Sequence, residues 1–144
     1  MATTWGVTPK QSIEAACRSK GRASVVAQCV AILNGAEADP QFLAVLAGPA
    51  STTVLAGREG GLSGYWPKVW AARGLLHVWD DNATEAIIAE MADPSWRARE
   101  MSAKVIARHR VRPAIDAVMV LLNDQNARVR AAAHRAFEVI ADEE

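Results

Sequence analysis

The sequence predicts an all-α protein whose C-terminal half is a short stack of repeated helical pairs. Three observations carry this. Sustained apolar–polar alternation, the mark of a half-buried strand, is absent along the chain. Helix starts and stops are written repeatedly in Thr-Pro, Asp-Pro and Gly positions. From Tyr65 onward, one segment superposes on the next at an offset of 31 residues.

The elements follow in order. Thr8-Pro9 reads as N-cap and first helical residue, with Gly21 as the stop after SIEAACRSK. A second helix, roughly 22–34, places Val25, Val26, Cys29, Val30 and Leu33 on one side and ends at Gly35. Asp39-Pro40 opens a short third helix that stops at Gly48. These residues, 1–48, form a helical N-terminal cap. Residues 49–64 hold Gly57, Gly60, Gly61 and Gly64 and read as a glycine-rich connection, with one short helical turn near Thr53–Ala56. The next helix is predicted over 66–79.

The repeat occupies the remainder of 65–142. AIIAEMAD (86–93) lies over AVMVLLND (117–124), and DPSWRARE (93–100) over DQNARVRA (124–131). Asp93 matches Asp124, Arg97 matches Arg128, and Arg99 matches Arg130. Each unit is a shorter helix, a turn at the Asp and a longer helix, giving pairs 83–92 with 95–109 and 113–123 with 126–141. Helix 66–79 is the second half of an earlier unit, with Lys68 in the place of Arg99.

An Asp in the turn followed by an apolar residue and an Arg five and six positions on, Asp93-Ala98-Arg99 and Asp124-Val129-Arg130, resembles the short, roughly thirty-residue form of the HEAT-like repeat family. The resemblance covers 62–142 and implies a short right-handed α-solenoid in which Asp and Arg form a ladder between neighbouring repeats. The chemistry is reasonable: an Asp near a helix N-terminus accepts free N–H groups, and an Arg one repeat away pairs with it bidentately.

On a helical wheel, Pro67, Ala71, Gly74, Leu75 and Val78 match Val129, Ala133, Ala136, Phe137 and Ile140 as a buried arc. A second arc, Ala72, Leu76 and Trp79, becomes Ala103, Ala107 and Arg110, then His134, Glu138 and Ala141. Helix 66–79 is therefore expected to be sandwiched, with Trp70 and Trp79 in the core, and the last helix to be a polar end cap.

At 144 residues the chain is one domain by length, and its 51% hydrophobic content supplies a core without disulfide or metal staples. Sixteen basic residues balance sixteen acidic ones, so net charge points to no partner. Its distribution does. Along the second helices run the columns Trp66–Arg97–Arg128, Arg73–Lys104–Arg135 and His77–Arg108–Val139, beside Val69–Glu100–Ala131. In a solenoid these helices line the concave surface, so the predicted binding residues are Trp66, Arg73, His77, Arg97, Lys104, Arg108, Arg128 and Arg135.

Enzyme signals are absent. His77, His109 and His134 form no HExxH, the serines lack a G-x-S-x-G setting, and the glycine-rich stretch lacks GxxxxGK[ST]. The expectation is a protein that is not an enzyme, with no cofactor and no metal. Cys17 and Cys29 read as buried free thiols of a cytoplasmic chain. MATTWGVTPKQS has no signal-peptide pattern, and no run approaches a membrane span, so no membrane partner is expected.

The expected function is a binding or scaffold module that engages an acidic segment of a protein partner through the basic concave face. Nucleic-acid (DNA) binding through the same face is the alternative. Third is a small DNA-glycosylase-like enzyme with Glu100 as the inner-face carboxylate. A merely solvated face is the competing structural reading.

Overall fold

The computed structural model describes residues 5–52 and 65–141. The helical turn expected near Thr53–Ala56 and the glycine-rich 57–64 lie outside them. Among the described residues there are eight α-helices and no strand: α1 (Pro9–Lys20), α2 (Arg22–Leu33), α3 (Pro40–Ala47), α4 (Tyr65–Gly74), α5 (Thr84–Glu90), α6 (Trp96–His109), α7 (Ile115–Leu121) and α8 (Ala127–Ala141). The chain divides into two compact units, Met1–Asp80 and Asp81–Glu144. No helix among the described residues is long and apolar enough to cross a membrane.

In the first unit, local sequence sets the helix ends. Thr8 caps α1 in a reciprocal box: its Oγ1 accepts from the Gln11 N–H at 3.1 Å, and Gln11 Oε1 accepts from the Thr8 N–H at 2.9 Å. Asp39 Oδ1 accepts from the Gln41 N–H at 2.9 Å and starts α3. After α2, Gly35 takes φ +100°; its N–H donates to the Ile32 carbonyl and that of Ala36 to Ala31. This is the glycine-dependent turn that closes a helix C-terminus.

α4 packs against α2 and also touches α1 and α3. Pro67, Val69, Trp70, Ala71, Ala72 and Gly74 are buried along it. Gly74 is the point of closest approach: a Cβ built there would lie 2.9 Å from Leu46 Cδ2, 3.4 Å from Cys29 Sγ and 3.6 Å from Ile13 Cδ1. Those contacts come from α3, α2 and α1, and together with α4 they enclose the core of Ile13, Val25, Val26, Cys29, Phe42, Leu43 and Leu46. Val30, expected on the same face, is only half-buried. Side chains also satisfy carbonyls that α3 leaves open at its C-terminus. Ser12 Oγ donates to the Val45 carbonyl at 2.7 Å, and Arg73 Nη2 donates to the Leu46 carbonyl at 2.6 Å.

Two features differ from the sequence expectation. The helix predicted over 66–79 stops at Gly74, after which Leu75, Leu76 and His77 donate to Ala72, Arg73 and Gly74 in a tightened turn. Leu75 and Val78 remain buried, but Trp79 is only half-buried. The two compact units divide at Asp80, with α4 in the unit that holds α1–α3.

The second unit repeats itself. A 3-10 turn, Asp81–Ala83 or Arg112–Ala114, leads into α5 or α7, and Ala83 and Ala114 are fully buried. Each first helix is thus shorter than expected, with its N-terminal turn wound more tightly. α6 packs on α8, α5 on α6, and α7 on α8. The core is Ile87, Met91, Ala98, Ala103, Val105, Ile106, Val118, Leu121, Val129, Ala133, Ala136 and Ile140. Ser102, also fully buried, donates its hydroxyl back to the Ala98 carbonyl at 2.8 Å.

The two turns share one hydrogen-bonding pattern. Asp93 Oδ1 accepts from the Ser95 N–H at 2.8 Å, and Asp124 Oδ2 from the Asn126 N–H at 2.9 Å. Ser95 and Asn126 are the helix caps: Ser95 Oγ accepts from Ala98 N–H, and Asn126 Oδ1 from Arg128 N–H. The Asp residues therefore organise the cap residue; they are not the caps themselves. Arg99 Nη1 donates to the carbonyls of Asp93 and Pro94, as Arg130 Nη1 does to those of Asp124 and Gln125.

Candidate functional site: a basic groove on the second unit

α6 and α8 lie side by side, so residues 31 positions apart become neighbours across the pair. Glu100 comes from α6 and Arg128 from the first turn of α8, and Arg128 Nε donates to Glu100 Oε2 at 3.0 Å. Lys104, one turn beyond Glu100, brings Nζ to 3.6 Å from the same oxygen. Glu100 is buried, whereas Lys104 and Arg128 side chains are 44% and 64% exposed. The carboxylate thus lies at the floor and the cations stand above it.

These residues line a groove of about 360 Å³ with Ala131, Ala132 and Arg135. The alanines keep its floor low, so the flanking cations are not crowded out. Arg135 is exposed and has no ion pair among the described residues. Three cations face one carboxylate here, in a chain of zero net charge.

Trp96, the first residue of α6, adjoins one of these cations, Arg128, and also Arg97. The Arg97 guanidinium carbon stands 4.6 Å from its ring centroid and that of Arg128 5.3 Å. Both distances suit cation–π attraction. Trp96 is half-buried, so part of its ring remains open. Sequence analysis did not single it out. The 31-residue offset held the signal, since Tyr65, Trp96 and Ala127 form the column immediately preceding Trp66, Arg97 and Arg128.

The other predicted residues are placed as follows. Arg108 is exposed on α6 but does not line the groove. Trp66, Arg73 and His77 belong to the first unit. Trp66 stacks on Trp70 at 5.9 Å between centroids and meets Tyr65 edge-on at 4.9 Å. Arg73 is taken up by the Leu46 carbonyl, and burial lowers its pKa from the usual arginine value. His77 lies beyond the end of α4 and is half-buried, so the wheel used to align it with Arg73 no longer applies.

The thiols are free and shielded. Cys29 is fully buried, and burial first, then the neighbouring Cys17, pushes its pKa up to about 12. Cys17 is half-buried and also raised, chiefly by desolvation. Neither is a ready thiolate nucleophile.

Comparison with known proteins leaves the site to be read from its own chemistry: no family model, no curated protein and no solved structure matches the chain.

Proposed function

We propose that this protein is a non-catalytic binding module of HEAT-like repeats, and that the α6–α8 groove holds an acidic segment of a protein partner. The observation that carries this reading is the cluster of Lys104, Arg128 and Arg135 around a single buried carboxylate, with Trp96 beside it. Glu100 holds the Arg128 guanidinium through Nε and draws the Lys104 ammonium to 3.6 Å. It leaves a local surplus of positive charge for an incoming carboxylate. Trp96 offers a rigid apolar surface next to that charge, the combination that concentrates binding energy in protein interfaces. In a solenoid, this groove would lie on the concave face formed by the second helices.

A catalytic role for Glu100 is not favoured. Its Oε2 is engaged by Arg128 and Lys104, which suits a positioning carboxylate better than a proton donor.

The test is a titration of the full chain with a labelled Asp/Glu-rich peptide, followed by fluorescence anisotropy. Arg135→Glu reverses an exposed charge with no ion pair among the described residues, so the fold is expected to persist. Peptide binding should weaken about tenfold or more in this variant. Peptide affinity unchanged by Arg135→Glu and by Lys104→Glu would overturn the proposal.

A further inference from the structure

Lys104, Arg128 and Arg135 line the α6–α8 groove against one carboxylate, Glu100, which leaves a surplus of two positive charges in one place. A carboxylate side chain brings one charge and two oxygens to such a site. A phosphate monoester brings about −1.5 to −2 at neutral pH and three strong acceptor oxygens. The charge surplus and the number of cations both match the phosphate.

The setting of Arg128 adds geometry to the count. Its Nε donates to Glu100 Oε2 at 3.0 Å, and its guanidinium carbon stands 5.3 Å from the Trp96 ring centroid. Carboxylate and ring together hold the guanidinium, while Nη1 and Nη2 have no partner among the described residues. A guanidinium held this way is a pre-formed pair of donors, and little freedom is lost when an oxyanion takes them. Lys104 and Arg135 occupy equivalent positions, 31 residues apart, on α6 and α8. Both are exposed and both line the groove, so they flank it from its two helices. Ala131 and Ala132, between Arg128 and Arg135 on α8, leave space for a tetrahedral group.

The surroundings favour a phosphate carried on a peptide. Trp96 also lines a recess of about 300 Å³ with Pro94, Gln125 and Asn126, which offers apolar and amide groups to residues flanking a phosphorylated one. A nucleic-acid duplex spreads single charges along its axis and is held by cations spread likewise. Here Arg128 and Arg135 are seven residues apart on α8, about 10 Å at roughly 1.5 Å per residue, with Lys104 on the neighbouring helix. Charge gathered over so short a span suits one dense anion.

We infer that the α6–α8 groove recognises a phosphoserine or phosphothreonine side chain within an acidic segment. Arg128 donates through its two Nη groups, and Lys104 and Arg135 close on the remaining oxygens. This rests on the reading of the groove as a site for an acidic protein segment, and it names the group within that segment that the groove selects.

Fluorescence anisotropy of the full chain with three labelled peptides tests this. They share one acidic sequence and carry at its centre a phosphoserine, a Glu-Glu pair of matching charge, or a serine. The phosphoserine peptide should bind at least about tenfold tighter than the Glu-Glu peptide, because only the phosphate offers three oxygens at one point. Arg135→Gln and Lys104→Gln, each at an exposed residue, should cut that preference to about threefold or less, with the helical circular dichroism unchanged. Equal binding of the phosphoserine and Glu-Glu peptides would overturn the phosphate inference and leave the acidic-segment reading standing. No binding of any of the three would overturn both. A phosphate preference that survives both substitutions, or duplex DNA bound more tightly than the phosphoserine peptide, would also overturn the inference.

Discussion

Arg99 grips Asp124 with two parallel hydrogen bonds, Nε to Oδ1 at 2.8 Å and Nη2 to Oδ2 at 3.2 Å, while Nη1 holds the carbonyls of Asp93 and Pro94. One guanidinium thus closes the turn of its own helical pair and binds the turn of the next. The planar fork of arginine permits this, and a lysine could not reproduce it.

Arg99→Ala should destabilise the second unit by about 2 kcal/mol, since it removes charge-assisted bonds from a pair whose side chains are only 18% and 9% exposed. Arg130→Ala should cost about 1 kcal/mol, because the hydrogen bonds of Arg130 are to the carbonyls of its own turn, Asp124 and Gln125. Hydrogen exchange of the α6 and α8 amides reads this unit separately. Equal losses in the two variants would contradict a ladder role for Arg99.

The same pair sets an acid limit. The hydrogen bond from Arg99 is the largest influence holding the Asp124 carboxyl below the usual range; partial desolvation opposes it, and the Asn126 N–H assists. A carboxylate with a lowered folded pKa contributes stability above its unfolded value of about 3.9, and that contribution is lost as pH falls through the folded value. Protection of the second unit should therefore hold from neutral pH to about pH 5 and decline below about pH 4. In Asp124→Asn the unit should start less stable, and its acid-dependent loss should be smaller. An unchanged acid profile in that variant would assign the loss to other groups.

Arg73→Met should lower the stability of the first unit by about 1 to 3 kcal/mol by leaving the Leu46 carbonyl without its charged donor. Acidic-peptide binding should be unaffected. Thermal unfolding and the anisotropy titration separate the two effects. Loss of binding with no loss of stability would return Arg73 to the binding surface predicted from its column.

Much of the fold was legible because its signals are local. Thr8-Pro9, Asp39-Pro40 and Gly35 fix helix ends through groups two to five residues away, and the 31-residue offset located both turns and their Arg and Asp. The end of α4 was not legible. Gly74 sits where Ile13, Cys29 and Leu46 converge, and no wheel drawn on 66–79 contains those residues. Arg73 was misread for the same reason: its acceptor is the open carbonyl of another helix. In the groove, Lys104, Arg128 and Arg135 followed from the columns, and Glu100 was recognised as the carboxylate among them. Trp96 lies one column before Trp66, and only the packing of α8 on α6 brings Arg128 to it.

Gly74→Val should destabilise the first unit by about 2 to 3 kcal/mol, since branched atoms would be driven into Leu46 and Cys29. Gly74→Ala should cost less than about 1 kcal/mol: the nearest atom is the end of the Leu46 side chain, which can rotate, and alanine favours the helix. Urea midpoints of the two variants check the ordering. A neutral Gly74→Val would mean that the four helices do not meet as closely as the geometry shows.

The proposed ligand of the α6–α8 groove is an acidic protein segment. The most direct measurement is the affinity of the full chain for an Asp/Glu-rich peptide and for duplex DNA, taken in parallel by anisotropy at low and moderate salt. Peptide binding is expected to be tighter than DNA binding and to fall less steeply with salt, and to weaken in Arg135→Glu and in Trp96→Ala. DNA binding that is tighter than peptide binding and falls steeply with salt would contradict this and make the nucleic-acid backbone the ligand.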